Sequence, residues 1–139
     1  MLVRNCAGGV VFFEDSVFLL LNDKNEWVLP KGVIRGSALS HETALARVKD
    51  EGGLEPEILT TAGETNYEFY SITRRQPVCN RITWYIMRAP DDRMRIAFEQ
   101  GFRDGGYFPV AEAVKKITYS QDRSLVSLAY KNYKEIVGG

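Results

Sequence analysis

The sequence predicts an α/β fold, a mixed β-sheet sandwiched between helices, built as a single domain over residues 1–139. Three observations predict it. Strand-like apolar runs occur near both ends of the chain, a capped amphipathic helix interrupts them in the first half, and a last helix with three-four apolar spacing closes the chain.

Taken in order, Ala7 to Phe13 and Ser16 to Leu21 are short runs rich in Val, Phe and Leu, separated by Glu14-Asp15. They read as a hairpin whose strands are buried on both faces. Asn22 to Glu26 is a polar loop, and Trp27-Val28-Leu29 a brief strand stopped by Pro30. Ser40 to Glu51 reads as a helix, with Ser40 as N-cap, Glu42 adding negative charge to the first turn, and Gly52 or Gly53 supplying the left-handed residue past its end. Leu45 and Val48, with Ala44 beside them, give it a narrow buried stripe. Glu57 to Tyr70 and Val78 to Arg88 are rich in β-branched and aromatic residues, and the polar turn at Thr73-Arg74-Arg75-Gln76-Pro77 joins them as two long antiparallel strands. Gly106 to Val110 is a last strand and Ala111 to Lys116 a short helix. Ser120 then caps a final helix carrying Leu125, Leu128, Ala129, Tyr133 and Ile136 on one stripe.

Lys+Arg and Asp+Glu are both 18, so no global field attracts DNA or an acidic membrane, and recognition of a nucleotide has to come from local groups. No apolar run approaches the ~20 residues that span a bilayer, and the N-terminus lacks the pattern of a signal peptide, so the default location is cytoplasmic. Cys6 and Cys79 have no metal-type spacing, and free thiols are expected of both.

The stretch from Gly32 to Leu54, GVIRGSALSHETALARVKDEGGL, sets a glycine-led loop before the helix and presents Asp50 and Glu51 in its last turn. Laid without gaps on the Nudix box, G-x5-E-x7-R-E-U-x-E-E-x-G-U with U aliphatic, it fits in length and at both ends. Gly32, Val48, Asp50, Glu51, Gly53 and Leu54 occupy their slots, while Ala38, Ala46 and Arg47 stand where the pattern has Glu, Arg and Glu. Trp27-Val28-Leu29-Pro30-Lys31-Gly32 resembles the W-x-L-P-K-G entry of the branch that cleaves diadenosine polyphosphates and diphosphoinositol polyphosphates. Tyr107-Phe108-Pro109 before Glu112-Ala113 is similar to the family's late strand-to-helix segment. The chain thus resembles a Nudix hydrolase with a degenerate box, which implies a Nudix-type α/β/α sandwich.

The resemblance also implies a chemistry. Cleaving a pyrophosphate calls for a divalent cation, Mg²⁺ or Mn²⁺, to offset phosphate charge and activate a water. The family's helix offers three carboxylates at i, i+3 and i+4, on one face. Here those positions are Arg47, Asp50 and Glu51, so the local charge is −1 instead of −3. Asp50, Glu51 and the Gly32 carbonyl remain as metal donors, and affinity is in doubt because Arg47 can pair with either acid. The paired loss of a Glu and an Arg at Ala38 and Ala46 removes both partners of a brace, which is near neutral where losing one would not be. Packing by Val33, Ile34 and Leu39 is expected to hold the loop instead.

Asp50, Glu51 and Glu99 are the candidate catalytic residues, Glu99 lying where a late-loop general base is found in the family. Lys31, Arg47, Arg74 and Arg75 are the candidate substrate-binding residues, and Tyr67, Phe69, Tyr70 and Trp84 are read as core or as a stacking surface for a base. Two functions stay open. One is a pyrophosphohydrolase with a weakened divalent site, acting on a nucleoside diphosphate linked to another moiety, such as a dinucleotide polyphosphate. The other is an inactive module that binds nucleotide, RNA or a protein. A small nucleotide or polyphosphate is the expected partner, and a homodimer is compatible with either.

Overall fold

The structure is a computed structural model that describes residues 1–138. Its spine is a pair of long parallel strands from opposite halves of the sequence. Strand β1 (Leu2–Phe13) runs beside β6 (Gln76–Arg88), paired from Leu2↔Val78 to Phe12↔Arg88. The other edge of β1 is shared. Its middle, Cys6 to Gly8, pairs antiparallel with β4 (Lys31–Val33) and its end with β2 (Ser16–Leu21). Beyond β2 lie β3 (Trp27–Val28) and β7 (Asp104–Pro109), and beyond β6 lies β5 (Glu57–Ser71), giving a seven-stranded mixed sheet.

Successive β1 side chains alternate between the two faces. Cys6, Val10 and Phe12 pack with α2 (Val110–Lys116) and α3 (Ser120–Gly138), through Ala113, Ile117, Val126 and Tyr133. Ala7 and Val11 face α1 (Ser40–Gly52), through Ala44 and Val48. Both faces being covered explains why β1 and β2 read as near-continuous apolar runs. The architecture is the expected α/β sandwich with a mixed sheet. Among the described residues, no helix is long and apolar enough to cross a membrane.

Some boundaries differ from the sequence reading. Strand β1 starts at Leu2 because parallel pairing with β6 recruits Arg4 and Asn5, whose polarity suggests a tail. Lys31–Val33 forms a strand where Pro30 had suggested a stop. Leu39, not Ser40, precedes the first helical turn of α1, and its N–H donates to the Glu42 carboxylate (3.1 Å). Glu42 does the capping by reaching back, while the Ser40 hydroxyl is buried without a partner. Tyr119 stands in the same place before α3, its carbonyl accepting from the Asp122 and Arg123 N–H groups, so Ser120 is the first helical residue and not the cap. Both cysteines are buried free thiols. Of the three residues expected to hold the loop before α1, Val33 at the end of β4 and Ile34 after it pack against opposite core clusters, while Leu39 is largely exposed.

Candidate active site

Helix α1 delivers the box acids differently. A residue four positions on from Arg47 lies one turn above it, on the same side. The Arg47 Nη2 accordingly donates to the Glu51 Oε2 at 2.6 Å, with the Arg side chain 38% exposed and the Glu side chain 5% exposed. Asp50 lies a further 100° round the helix from Glu51 and is exposed. The guanidinium therefore neutralises the buried acid and leaves the exposed one. Burial still dominates at Glu51, pushing its carboxyl above the ordinary carboxylate value, with Arg47 and the Lys31 charge and N–H pulling it back.

The stem of Arg47 lies across Gly32. A Cβ at Gly32 would stand 2.6 Å from the Arg47 Cδ and 2.8 Å from its Cγ. The glycine that opens the box is thus required by a close approach and not by backbone conformation. Gly32→Ala is expected to destabilise the fold by about 1–3 kcal/mol. In an Arg47→Ala background the same change should cost almost nothing. Thermal melts of the four variants test this, and equal costs in both backgrounds would show that Arg47 is not what the new methyl group meets.

The C-terminal end of α1 is braced from the far side. Gly53 adopts a left-handed conformation (φ 67°), and the Gly52 and Glu51 carbonyls accept from the Arg95 and Ala97 N–H groups at 2.7 and 3.0 Å. That segment leads into a short 3-10 turn, Phe98–Gln100, so Glu99 is carried on a turn docked against the end of the acid-bearing helix. Glu99 itself is exposed. Arg74 and Arg75 project from the exposed turn between β5 and β6. Of the four aromatic residues, Trp84 is core, its indole N–H donating to Thr65 (2.8 Å), whereas Tyr67 and Tyr70 are exposed.

On the α3 side of the sheet, next to the box, is a cavity of about 220 Å³ lined in part by Glu26, Lys31, Tyr67, Asn80, Tyr119 and Asp122. Tyr67 and Tyr119 meet edge to face with ring centroids 5.6 Å apart. The Tyr119 hydroxyl donates to Glu26, whose other oxygen accepts from the Asn22 amide at 3.0 Å. These bonds hold the Glu26 carboxyl below the ordinary carboxylate value, while burial pushes Asp122 above it. Lys31 lines this cavity and its backbone N–H donates to the Glu51 carboxylate, so the one residue belongs to both the cavity and the box. Sequence reasoning passed over Glu26, Asn80, Tyr119 and Asp122. They lie on a loop, a strand and a helix start, and no local pattern links them.

The NUDIX domain profile matches residues 1–128. The chain belongs to the NUDIX domain family. A Mycobacterium tuberculosis (strain CDC 1551 / Oshkosh) protein named as a mutator protein, MutT4, is 27% identical over 108 residues, covering 74% of this chain. The chain spans only 40% of that relative's length. Among solved structures, an Ap4A hydrolase of C. elegans in a binary complex superposes with a TM-score of 0.69 at 17% identity, over 95% of this chain and 98% of that one. The dihydroneopterin triphosphate pyrophosphohydrolase of E. coli gives 0.72 at 11% identity, over the full length of both chains. Both likenesses are of fold. Within this NUDIX domain, a resident divalent ion does not fit the box as folded. Glu51 is committed to Arg47, Asp50 faces solvent, and among the described residues no three His, Cys, Asp or Glu side chains gather as a metal-binding set.

Proposed function

We propose that this NUDIX domain is a pyrophosphohydrolase acting on a nucleoside diphosphate linked to another moiety, a dinucleotide polyphosphate or a similar compound. The observation that carries the proposal is the position of Lys31, shared by the aromatic-walled cavity and the box. The nucleoside occupies the cavity against Tyr67 and Tyr119, and the phosphates run past Lys31 to the end of α1. Aromatic faces suit a base and an ammonium suits phosphate oxygens. Mg²⁺ or Mn²⁺ is part of the substrate here, arriving on the polyphosphate.

Hydrolysis is attack of water on phosphorus with loss of the bridging oxygen, and the water's proton needs an acceptor. We assign this role among Glu51, Asp50 and Glu99, the first two carried by α1 and the third by the turn docked on its end. Arg74 and Arg75 extend from a turn that can overhang a long polyphosphate. Two neighbours in fold are named as an Ap4A hydrolase and a dihydroneopterin triphosphate pyrophosphohydrolase, and the first of these names is of the proposed substrate class.

One observation favours the second reading, a nucleotide-binding module without turnover: Arg47 occupies the face where the family pattern has a third acid. A panel of diadenosine polyphosphates and nucleotide sugars, assayed with Mg²⁺ and Mn²⁺ for nucleoside monophosphate release, separates the two. Turnover is expected, with Lys31→Met raising KM roughly tenfold or more through loss of a charge-assisted contact. Binding without turnover across the whole panel would give the molecule to the second reading.

A further inference from the structure

The geometry points to an anion site at Arg47: the guanidinium binds a pyrophosphate group directly, in the place where a divalent ion would otherwise do so. This deepens the proposed function by naming what holds the phosphates, and it rests on the same site.

Three observations carry it. A guanidinium has five N–H donors, and the one hydrogen bond Arg47 makes, from Nη2 to Glu51, leaves the rest of the fork without a protein acceptor. One of them, Nε, is buried with no partner at all. That nitrogen lies against Gly32, so contact with a ligand falls to the terminal nitrogens of the fork. The group is also reachable, since the Arg47 side chain is 38% exposed although its stem is pinned across Gly32. A pinned stem with a free planar fork is preorganised for two-point contact with phosphate.

The test is calorimetric titration of inorganic pyrophosphate into the full chain in EDTA, using wild type, Arg47→Met and Arg47→Lys, each checked for folding by thermal melt. Methionine keeps an apolar stem over Gly32 and removes the charge; lysine keeps the charge and loses the fork. Wild type should bind without metal, Arg47→Met at least tenfold more weakly, and Arg47→Lys in between. In parallel, the paramagnetic signal of free Mn²⁺ should be unchanged by wild-type protein alone. Binding of pyrophosphate only when Mn²⁺ is present, equal binding by wild type and Arg47→Met, or uptake of Mn²⁺ by the wild-type protein alone would each overturn the inference. Its failure is distinct from that of the hydrolase reading. A chain that binds pyrophosphate through Arg47 in EDTA yet turns nothing over retains the anion site and loses the enzyme. An active chain whose pyrophosphate binding ignores Arg47 does the reverse.

Discussion

Replacing Arg47 with Glu is expected to raise the affinity of the box for Mn²⁺ at least tenfold and to create or increase pyrophosphate hydrolysis. The substitution changes the local charge from −1 to −3 and puts carboxylates at i, i+3 and i+4 on one helix face. Even at an effective dielectric of about 20, a unit charge about 4 Å from a divalent ion contributes several kcal/mol. The change also frees Glu51 from its 2.6 Å contact with the guanidinium. The cost falls on the metal-free protein. Glu51 keeps its burial and loses its counter-ion, and the new acid repels it, so a loss of about 1–3 kcal/mol is expected. The exposure of Arg47 keeps that figure below the cost of breaking a fully buried pair. Mn²⁺ titration, phosphate release and melts with and without ion measure the three consequences together. The melting temperature should fall without ion and recover when ion is added. An Mn²⁺ affinity equal to wild type would show that Arg47 is not what keeps a divalent ion from the box.

The Arg47–Glu51 pair was legible in the sequence because it is local. Spacing along one helix fixes which side chains meet, and the same periodicity gave Leu45 and Val48 with Ala44 beside them as the stripe, of which Ala44 and Val48 are buried and Leu45 partly so. What depends on long-range pairing was not legible. Leu2 to Cys6 forms a strand because residues 78 to 82 lie beside it, and nothing within those five residues says so. Lys31 to Val33 is a strand because Cys6 to Gly8 pairs with it. The cavity is the extreme case, since the bond that sets its wall joins Tyr119 to Glu26, 93 positions apart. Local pattern misled at the cap of α1. Ser40 has the residue type of an N-cap, but the terminus is satisfied by the Glu42 carboxylate reaching back to the Leu39 N–H.

Glu51→Gln is expected to lower turnover by about a hundredfold or more, the scale of a lost general base or phosphate-facing charge. Asp50→Asn, at an exposed position, should cost less. The same Glu51 substitution also has a signature in stability that does not depend on activity. Burial holds the folded Glu51 carboxyl above its ordinary value of 4.5, against the opposing pull of Arg47. Below that ordinary value both folded and unfolded chains carry the proton, and the buried group is neutral. As pH rises through the interval between the ordinary value and the raised folded one, the unfolded chain releases its proton first. The folded state then binds more protons than the unfolded state, so stability falls with rising pH until the folded carboxyl ionises as well. Glutamine does not titrate, and the variant should lack that decline. Denaturant midpoints of both proteins between about pH 4 and about pH 8 give the difference curve. Wild type should lose stability relative to the variant as pH increases, with the gap constant at the alkaline end. A variant curve parallel to wild type throughout would mean that Arg47 fully compensates the burial of Glu51, leaving the acid ionised in the folded protein at every pH where it is ionised in the unfolded one.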